Sequence, residues 1–394
     1  MRSCPIGQRI EIRVTRDRFP EQNASHIELL ESSDHQGRAQ FDAILVPTNR
    51  PVEFLRACIG LAQQTAIPLI VVCSKRVNKR EVIEAAEREN VEVFAVDLPE
   101  YPANPLVGTS FGTSTDEDLL AASSGKTRDL STKRNLGLVI AKMLGWRRLM
   151  FLDDDIYGIS KEDVEALAAA LNNHNVSALI PEYYQDNSVA CHAFRLGGGE
   201  QDTFASAGGM GVRCDWADLP FFPNVYNEDW FFFSGEAASR RIAVVGKSRQ
   251  REYNPYQDPK RAVKEEFGDL LAEGLYARLD DHQGISDVDE AYWTAFKESR
   301  RDFLRRVADS LERHPNRDLQ EGDGPRVRAA LRSIHAAQEQ LERIDSVLCQ
   351  KFIKLWQADL VEWRRYLTEL PHFESVGRAL DYLGLKYSAT PNAR

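Results

Sequence analysis

Leu149-Met150-Phe151-Leu152-Asp153-Asp154-Asp155-Ile156 is the stretch that decides the fold. An apolar segment runs straight into consecutive carboxylates. Charged side chains are rarely buried unless they are paired or bind a metal, so the junction needs a reason. The simplest geometry is a buried strand that ends at the carboxyl edge of a sheet. Side chains alternate along a strand, which puts Asp153 and Asp155 on one side and Asp154 on the other. Two carboxylates at the mouth of an α/β sheet suit Mg²⁺ or Mn²⁺, hard cations that prefer oxygen ligands. The plainer alternative is a solvated acidic turn.

Upstream, Thr132-Lys133-Arg134-Asn135-Leu136-Gly137 opens a helix that ends near Gly145. Lys133 and Arg134 at its start either meet an anion, with the backbone N–H groups assisting, or are a surface-charged helix start. Further back, an apolar strand from Phe41 to Val46 ends at Pro47-Thr48-Asn49-Arg50-Pro51. A helix follows, with Phe54, Leu55, Cys58, Ile59 and Leu61 on its apolar face. Pro68 to Cys73 is a continuous apolar run, the pattern of a buried parallel strand, and ends at Ser74-Lys75. A helix over 79–89 and a strand over 91–96 complete a doubly wound α/β beginning. Ligands of such sheets bind beyond the carboxyl ends of the strands. Asn49-Arg50, Ser74-Lys75 and the acidic triplet therefore converge by topology.

Downstream the spacing predicts a helix over 161–172 and a strand over 176–180. Neither Gly197-Gly198-Gly199 nor Gly208-Gly209-Met210-Gly211 forms a dinucleotide fingerprint, which excludes a nicotinamide site. These glycines fit tight turns or close backbone approach to a ligand, Gly209 among them. In Tyr226-Asn227-Glu228-Asp229-Trp230-Phe231-Phe232-Phe233, two carboxylates abut aromatics. That is either a small-molecule wall or a helix start on a core helix. Ile242 to Val245 reads as a last strand. Residues 102–127, rich in Pro, Gly, Ser and Thr, form a long loop, either a lid or a flexible insertion.

The chain divides into an N-terminal extension over 1–38, a sheet-forming region over 39–260 and a helical C-terminal region over 261–394. In the extension, 10–14 and 26–30 have strand character. In the C-terminal region, helical periodicity runs over 261–279, 287–312 and 326–370. Ile334, Leu341, Leu348 and Leu355 recur every seventh residue as an apolar stripe. Packing within the chain is the expected use of that stripe, and homodimerisation through these helices is the alternative.

The formal net charge of -10 argues against a nucleic-acid-binding surface. No apolar run approaches the roughly 20 residues of a membrane helix, and the start lacks the apolar stretch of a signal peptide. The six cysteines form no C-x-x-C pair, which speaks against zinc, and Cys58 and Cys73 read as core thiols. A soluble cytoplasmic protein is the expectation.

Taken in order, these pieces resemble the GT-A glycosyltransferases, and family-2-like members in particular. The resemblance rests on Val46 to Pro51, Leu69 to Val72, Lys133 to Gly137, Phe151 to Asp155, Gly208 to Arg213, and Glu228-Asp229, in the family's order over about 40–260. It implies a Rossmann-like mixed sheet flanked by helices. It implies transfer of a single sugar, with inversion, from a nucleoside-diphosphate sugar to an acceptor hydroxyl. A UDP-sugar is the expected donor, and a small molecule or glycan the expected acceptor. By that resemblance Pro47, Thr48, Arg50 and Ser74 hold the nucleotide base. Arg134-Asn135 lies against the nucleotide. Asp153 and Asp154 contact the donor, and Asp153 and Asp155 hold Mn²⁺ or Mg²⁺. Asp229 is the general base, with Glu228 beside it orienting the acceptor or capping the helix. Trp230, Tyr226 and Gly209 face the acceptor. The second strand ends in Cys73-Ser74-Lys75, where many members carry an acidic residue, and Lys247 to Tyr256 lacks the histidine many members offer the metal. The processive Q-x-x-R-W motif is absent, which points to a single addition. The rival enzyme, a sugar-nucleotide nucleotidyltransferase, calls for a glycine-rich basic loop after the first strand, where Pro47 to Pro51 stands. A non-catalytic nucleotide-sugar scaffold is the non-enzymatic rival.

Overall fold

The computed structural model describes residues 26–32, 39–75, 77–98, 110–123, 129–184, 187–200, 203–285, 288–313 and 323–393. The strand expected over 10–14, and the parts of the expected lid over 102–109 and 124–127, lie outside the described residues.

The described residues open with a 3-10 turn over Ile27–Leu29 and strand β1 (Leu30–Ser32). The first α/β units follow as β2 (Ala43–Thr48), α1 (Arg56–Thr65), β3 (Leu69–Cys73), α2 (Lys79–Arg88) and β4 (Val93–Asp97). Two short helices, α3 (Gly112–Thr115) and α4 (Glu117–Ala122), precede α5 (Asp129–Met143), β5 (Arg148–Leu152) and β6 (Ile156–Tyr157). Then come α6 (Lys161–Ala170), β7 (Val176–Tyr183), α7 (Val189–Leu196), β8 (Gly209–Arg213), α8 (Glu228–Ala238) and β9 (Ile242–Gln250). The C-terminal third holds α9 (Lys260–Asp280), α10 (Glu290–Arg313), α11 (Asp323–Arg343), α12 (Ser346–Glu369), α13 (Val376–Tyr382) and β10 (Tyr387–Ala389).

One mixed sheet joins these strands in the order β1-β9-β7-β8-β5-β2-β3-β4-β10, with β6 paired to β9. β5, β2, β3 and β4 are parallel, and β8 runs antiparallel between β5 and β7. β2 and β3 are buried throughout, as continuous apolar strands covered on both faces must be. On one face Leu55 and Cys58 of the α1 region, Val82 of α2 and Leu167 of α6 form a core. On the other, α5 packs with α8, α9 and the C-terminal helices. This is the α/β architecture that the periodicity predicts, with the helix-flanked mixed sheet that the resemblance implies. Among the described residues, no helix is long and apolar enough to cross a membrane.

The first and last described strands join the sheet at its two edges. β1 pairs parallel with β9 at one edge, and β10 pairs antiparallel with β4 at the other. The expected strand over 26–30 is thus a 3-10 turn that runs into a short strand, and the C-terminal region is not helical throughout. The expected helix over 326–370 is two helices. Asp345 breaks it by taking an extended conformation and capping α12, its side chain accepting from Val347 N. Ile334 and Leu341 of the heptad stripe are fully buried within this chain.

Candidate active site

β5 ends at Leu152, so the acidic triplet lies in the turn to β6 rather than on a strand. The turn is closed by Ile156 N donating to Asp153 O at 3.1 Å. Strand alternation therefore does not apply, and the expected pairing of Asp153 with Asp155 on one side is replaced. Asp154 and Asp155 share Arg50, whose Nη1 is 2.9 Å from Asp154 and 2.7 Å from Asp155. Asp153 turns to Arg134 instead, accepting from Nη2 at 3.0 Å. Thr48 Oγ1 donates to Asp154 at 2.6 Å, and Gln250 Nε2 reaches Asp155 at 3.3 Å.

Arg134 links two acidic segments far apart in sequence. Nη2 serves Asp153, and Nη1 donates to Glu228 at 2.8 Å. The side chain is 3% exposed and lies against the Phe222 ring. Burial disfavours its charge, but Asp153 and Glu228 outweigh burial and hold the guanidinium protonated. Burial, opposed by Arg134 but aided by Asp155 and Asp154, pushes the Asp153 carboxyl up to about 6. Lys133 fastens the strand ends to α5, its Nζ donating to Thr48 O at 2.7 Å, to Ser74 Oγ at 2.8 Å and to Asp129 at 2.8 Å. Burial lowers its pKa, against the pull of Asp129.

Glu228 and Asp229 open α8, where the helix dipole favours carboxylates. Glu228 is buried on Arg134, whereas Asp229 is half-buried. Asp229 accepts from Ala207 N at 2.9 Å and Trp230 N at 3.0 Å. Burial raises the Asp229 pKa, as does Glu228, while Arg134 and those two N–H groups work the other way. The residue before the pair, Asn227, has left-handed backbone at φ 59.

Several residues expected at the site serve the framework. The Asn135 side chain is consumed by the Phe222 backbone, donating to its O at 2.9 Å and accepting from its N at 2.8 Å. Pro47 is buried inside β2, opposite Val72 of β3. Gly209 pairs with Leu152 inside the sheet, where a Cβ would lie 3.3 Å from Leu179. Trp230 is not an open stacking wall. Its indole is 5% exposed and boxed by His26 and Tyr276, with ring centroids 4.2 and 4.9 Å away. Its size and apolar ring made it equally suitable as core. Tyr226 is half-buried and borders a cavity of about 290 Å³ with Asp258, Arg261, Lys264 and Glu265.

Other residues carried no local sequence signal. His26 enters from the N-terminal segment, and Gln250 from the end of β9. The buried acids of α9, among them Glu266 and Asp269, are paired by the fold with Arg300, which lies about thirty residues further along the chain.

Among the described residues, no group of three or more His, Cys, Asp or Glu side chains is placed to hold a metal ion. The donors nevertheless fit a hard divalent cation that takes one or two carboxylates and completes its shell with water and phosphate oxygens. Asp153, Asp154, Asp155, Glu228 and Asp229 outnumber the guanidiniums of Arg50 and Arg134 that face them. A polyanionic ligand entering this surplus of negative charge calls for an added cation. Arg50, 38% exposed, is the partner with room to leave.

No protein-family model matches the sequence, and no curated protein matches it. Among solved structures, the chain is similar to the mannosyltransferase PcManGT from Pyrobaculum calidifontis in complex with GDP-Man and Mn²⁺. Identity is 11% and the TM-score 0.41, over 85% of this chain and 89% of that chain. A likeness this weak assigns no activity.

Proposed function

We propose that this chain is a metal-dependent glycosyltransferase of the GT-A type. It moves one sugar from a nucleoside-diphosphate sugar to an acceptor hydroxyl, with inversion. The observation that carries the proposal is the Arg134 bridge. One guanidinium joins Asp153, at the carboxyl edge of the sheet, to Glu228, the neighbour of Asp229. A donor-side acid and an acceptor-side acid are thereby held across one buried side chain.

The donor lies over the ends of β2, β3 and β5. Thr48, Ser74, Arg50, Asp153 and Asp154 line that edge, and a UDP-sugar is the first donor to test. Asp155, freed as Arg50 leaves it, would hold Mn²⁺ or Mg²⁺, while Arg134 keeps Asp153 turned to the donor; when bound, the cation neutralises charge on the departing diphosphate. Arg50 adds a mobile positive charge beside it. The acceptor oxygen attacks the anomeric carbon from the face opposite the diphosphate. The new C–O bond forms as the bond to the diphosphate breaks, and the diphosphate leaves with that electron pair. Asp229 takes the hydroxyl proton, and the rise in its pKa on burial favours that task. Glu228, pinned by Arg134, keeps the neighbouring acid in place. The cavity beside Tyr226 offers carboxylates, cations and a phenol to a polyhydroxylated acceptor.

Thermal unfolding in a panel of nucleoside-diphosphate sugars, each with and without Mn²⁺, tests the proposal. A ligand of the native state raises the midpoint by mass action. A Mn²⁺-dependent rise with one donor is expected, and no rise with any donor would contradict the proposal.

A further inference from the structure

The residues that flank Glu228 and Asp229 are gripped from outside the sheet domain. Asn227 adopts φ 59, a conformation that costs energy for any residue but glycine. Its Nδ2 donates to Asp269 of α9 at 3.0 Å. Asp269 in turn accepts from Arg300 Nη2 of α10 at 2.6 Å, and Arg300 also grips Glu266 through two nitrogens at 3.0 Å each. Arg300, Glu266 and Asp269 are all essentially inaccessible to solvent. One residue earlier, α9 presses backbone to backbone on Tyr226. A Cβ at Gly268 would fall 2.4 Å from Tyr226 O. On the other side of the pair, Tyr276 of α9 donates its hydroxyl to Trp230 O at 2.9 Å.

We infer that α9 is a positioning element for Asp229, and that Asp269, acting through Asn227, sets the bend that aims it. The C-terminal helices are then part of the catalytic apparatus rather than a separate module. The physical reasoning is direct. Among the described residues Asp229 receives only backbone N–H groups, so its direction depends on where the start of α8 lies. That start follows a strained residue, and a strained backbone persists only where neighbours over-determine it. Here the neighbours are Asp269, Gly268 and Tyr276, spaced along one face of one helix. A buried charged cluster on α9 fixes their common position against α10. The inference rests on Asp229 being the base, but the grip itself does not.

The test is a double-mutant cycle in the full chain, with Tyr276→Phe as a separate variant that preserves shape. Asp269→Ala should lower kcat about 10- to 100-fold, the scale of a small misplacement of a reacting group, with the donor KM unchanged. In the Asn227→Gly background, where no amide remains to be held, Asp269→Ala should have no further effect on kcat. Hydrogen exchange over 226–231 should speed up in Asp269→Ala and in Tyr276→Phe, while exchange in α5 stays as it was. Equal losses from Asp269→Ala in both backgrounds would mean that Asp269 acts only through stability, and would overturn the inference. So would unchanged exchange over 226–231 in Tyr276→Phe, the deciding variant if Asp269→Ala does not fold. If the unaltered chain transfers no sugar, the proposed function fails, and the exchange result alone decides whether α9 holds this segment.

Discussion

The guanidinium of Arg50 rests on Asp155, with Nη1 2.7 Å from Oδ2. A divalent cation drawn to that carboxylate must compete with a charge already there. The contact is part-exposed, so the competition is winnable and its size is modest. Arg50→Gln should tighten Mn²⁺ binding in the absence of nucleotide by about 3- to 5-fold, the scale of an exposed ion pair. Electron paramagnetic resonance titration reads this directly. Unchanged affinity would place the cation away from Asp155.

Arg134 is the more expensive contact to lose. Arg134→Met leaves Glu228 buried with its cation gone and strips Asp153 of its partner. Removing one member of a buried pair costs about 3–5 kcal/mol. Urea unfolding should show a loss of that order, and Glu228→Gln added to Arg134→Met should recover part of it. A loss under about 1 kcal/mol would mean that the bridge is dispensable.

His26 gives the fold a sensitivity to acid. It stacks on Tyr276 at 4.4 Å and meets Trp230 at 4.2 Å. Neither ring nitrogen makes a hydrogen bond among the described residues. Burial lowers its pKa from 6.5 to about 3. Between those values the unfolded chain binds a proton that the folded chain refuses. Stability is therefore full above about 6.5 and is lost as pH falls toward 3. The slope from this group is at most about 1.4 kcal/mol per pH unit. Unfolding midpoints measured from pH 7 to pH 4 should fall less steeply for His26→Phe than for the unaltered chain. Parallel profiles would show that His26 titrates normally in the folded state.

Asp359 docks the segment before α5 onto α12. Its carboxylate accepts from Gly112 N at 2.8 Å, Thr113 N at 2.9 Å and Thr113 Oγ1 at 2.7 Å. Residues 110–123 are thus anchored, not a free-standing loop. Asp359→Ala should cost about 1–3 kcal/mol, the penalty of buried donors left unmet. Limited proteolysis should then cut within 110–123, and an unchanged cleavage pattern would contradict the anchoring role.

The parallel strands were legible because their apolar runs are continuous, as in Leu69 to Cys73, and because turn residues punctuate them. The acidic triplet was legible as chemistry, but its partners were not. Alternation paired Asp153 with Asp155, whereas the strand stops at Leu152 and the turn sends Asp153 to Arg134 and both Asp154 and Asp155 to Arg50. Trp230 resembled a binding surface because an aromatic beside a carboxylate suits a core and a ligand wall equally. Asp269 and Glu266 were hidden for the opposite reason. Acids spaced along a helix look solvated until Arg300, distant in sequence, is folded against them. Long-range contacts of this kind leave no periodicity to read.

The most direct test of the central claim is the rate of nucleoside-diphosphate release in the presence of Mn²⁺, donor and acceptor, for the unaltered chain and for Asp229→Asn. Loss of a general base lowers a rate by about 10²–10⁴-fold. Asp229→Asn should lower kcat by at least about 10²-fold, with donor affinity unchanged because Thr48, Arg50 and Asp153 are untouched. An Asp229→Asn chain that releases nucleoside diphosphate at the unaltered rate would contradict it.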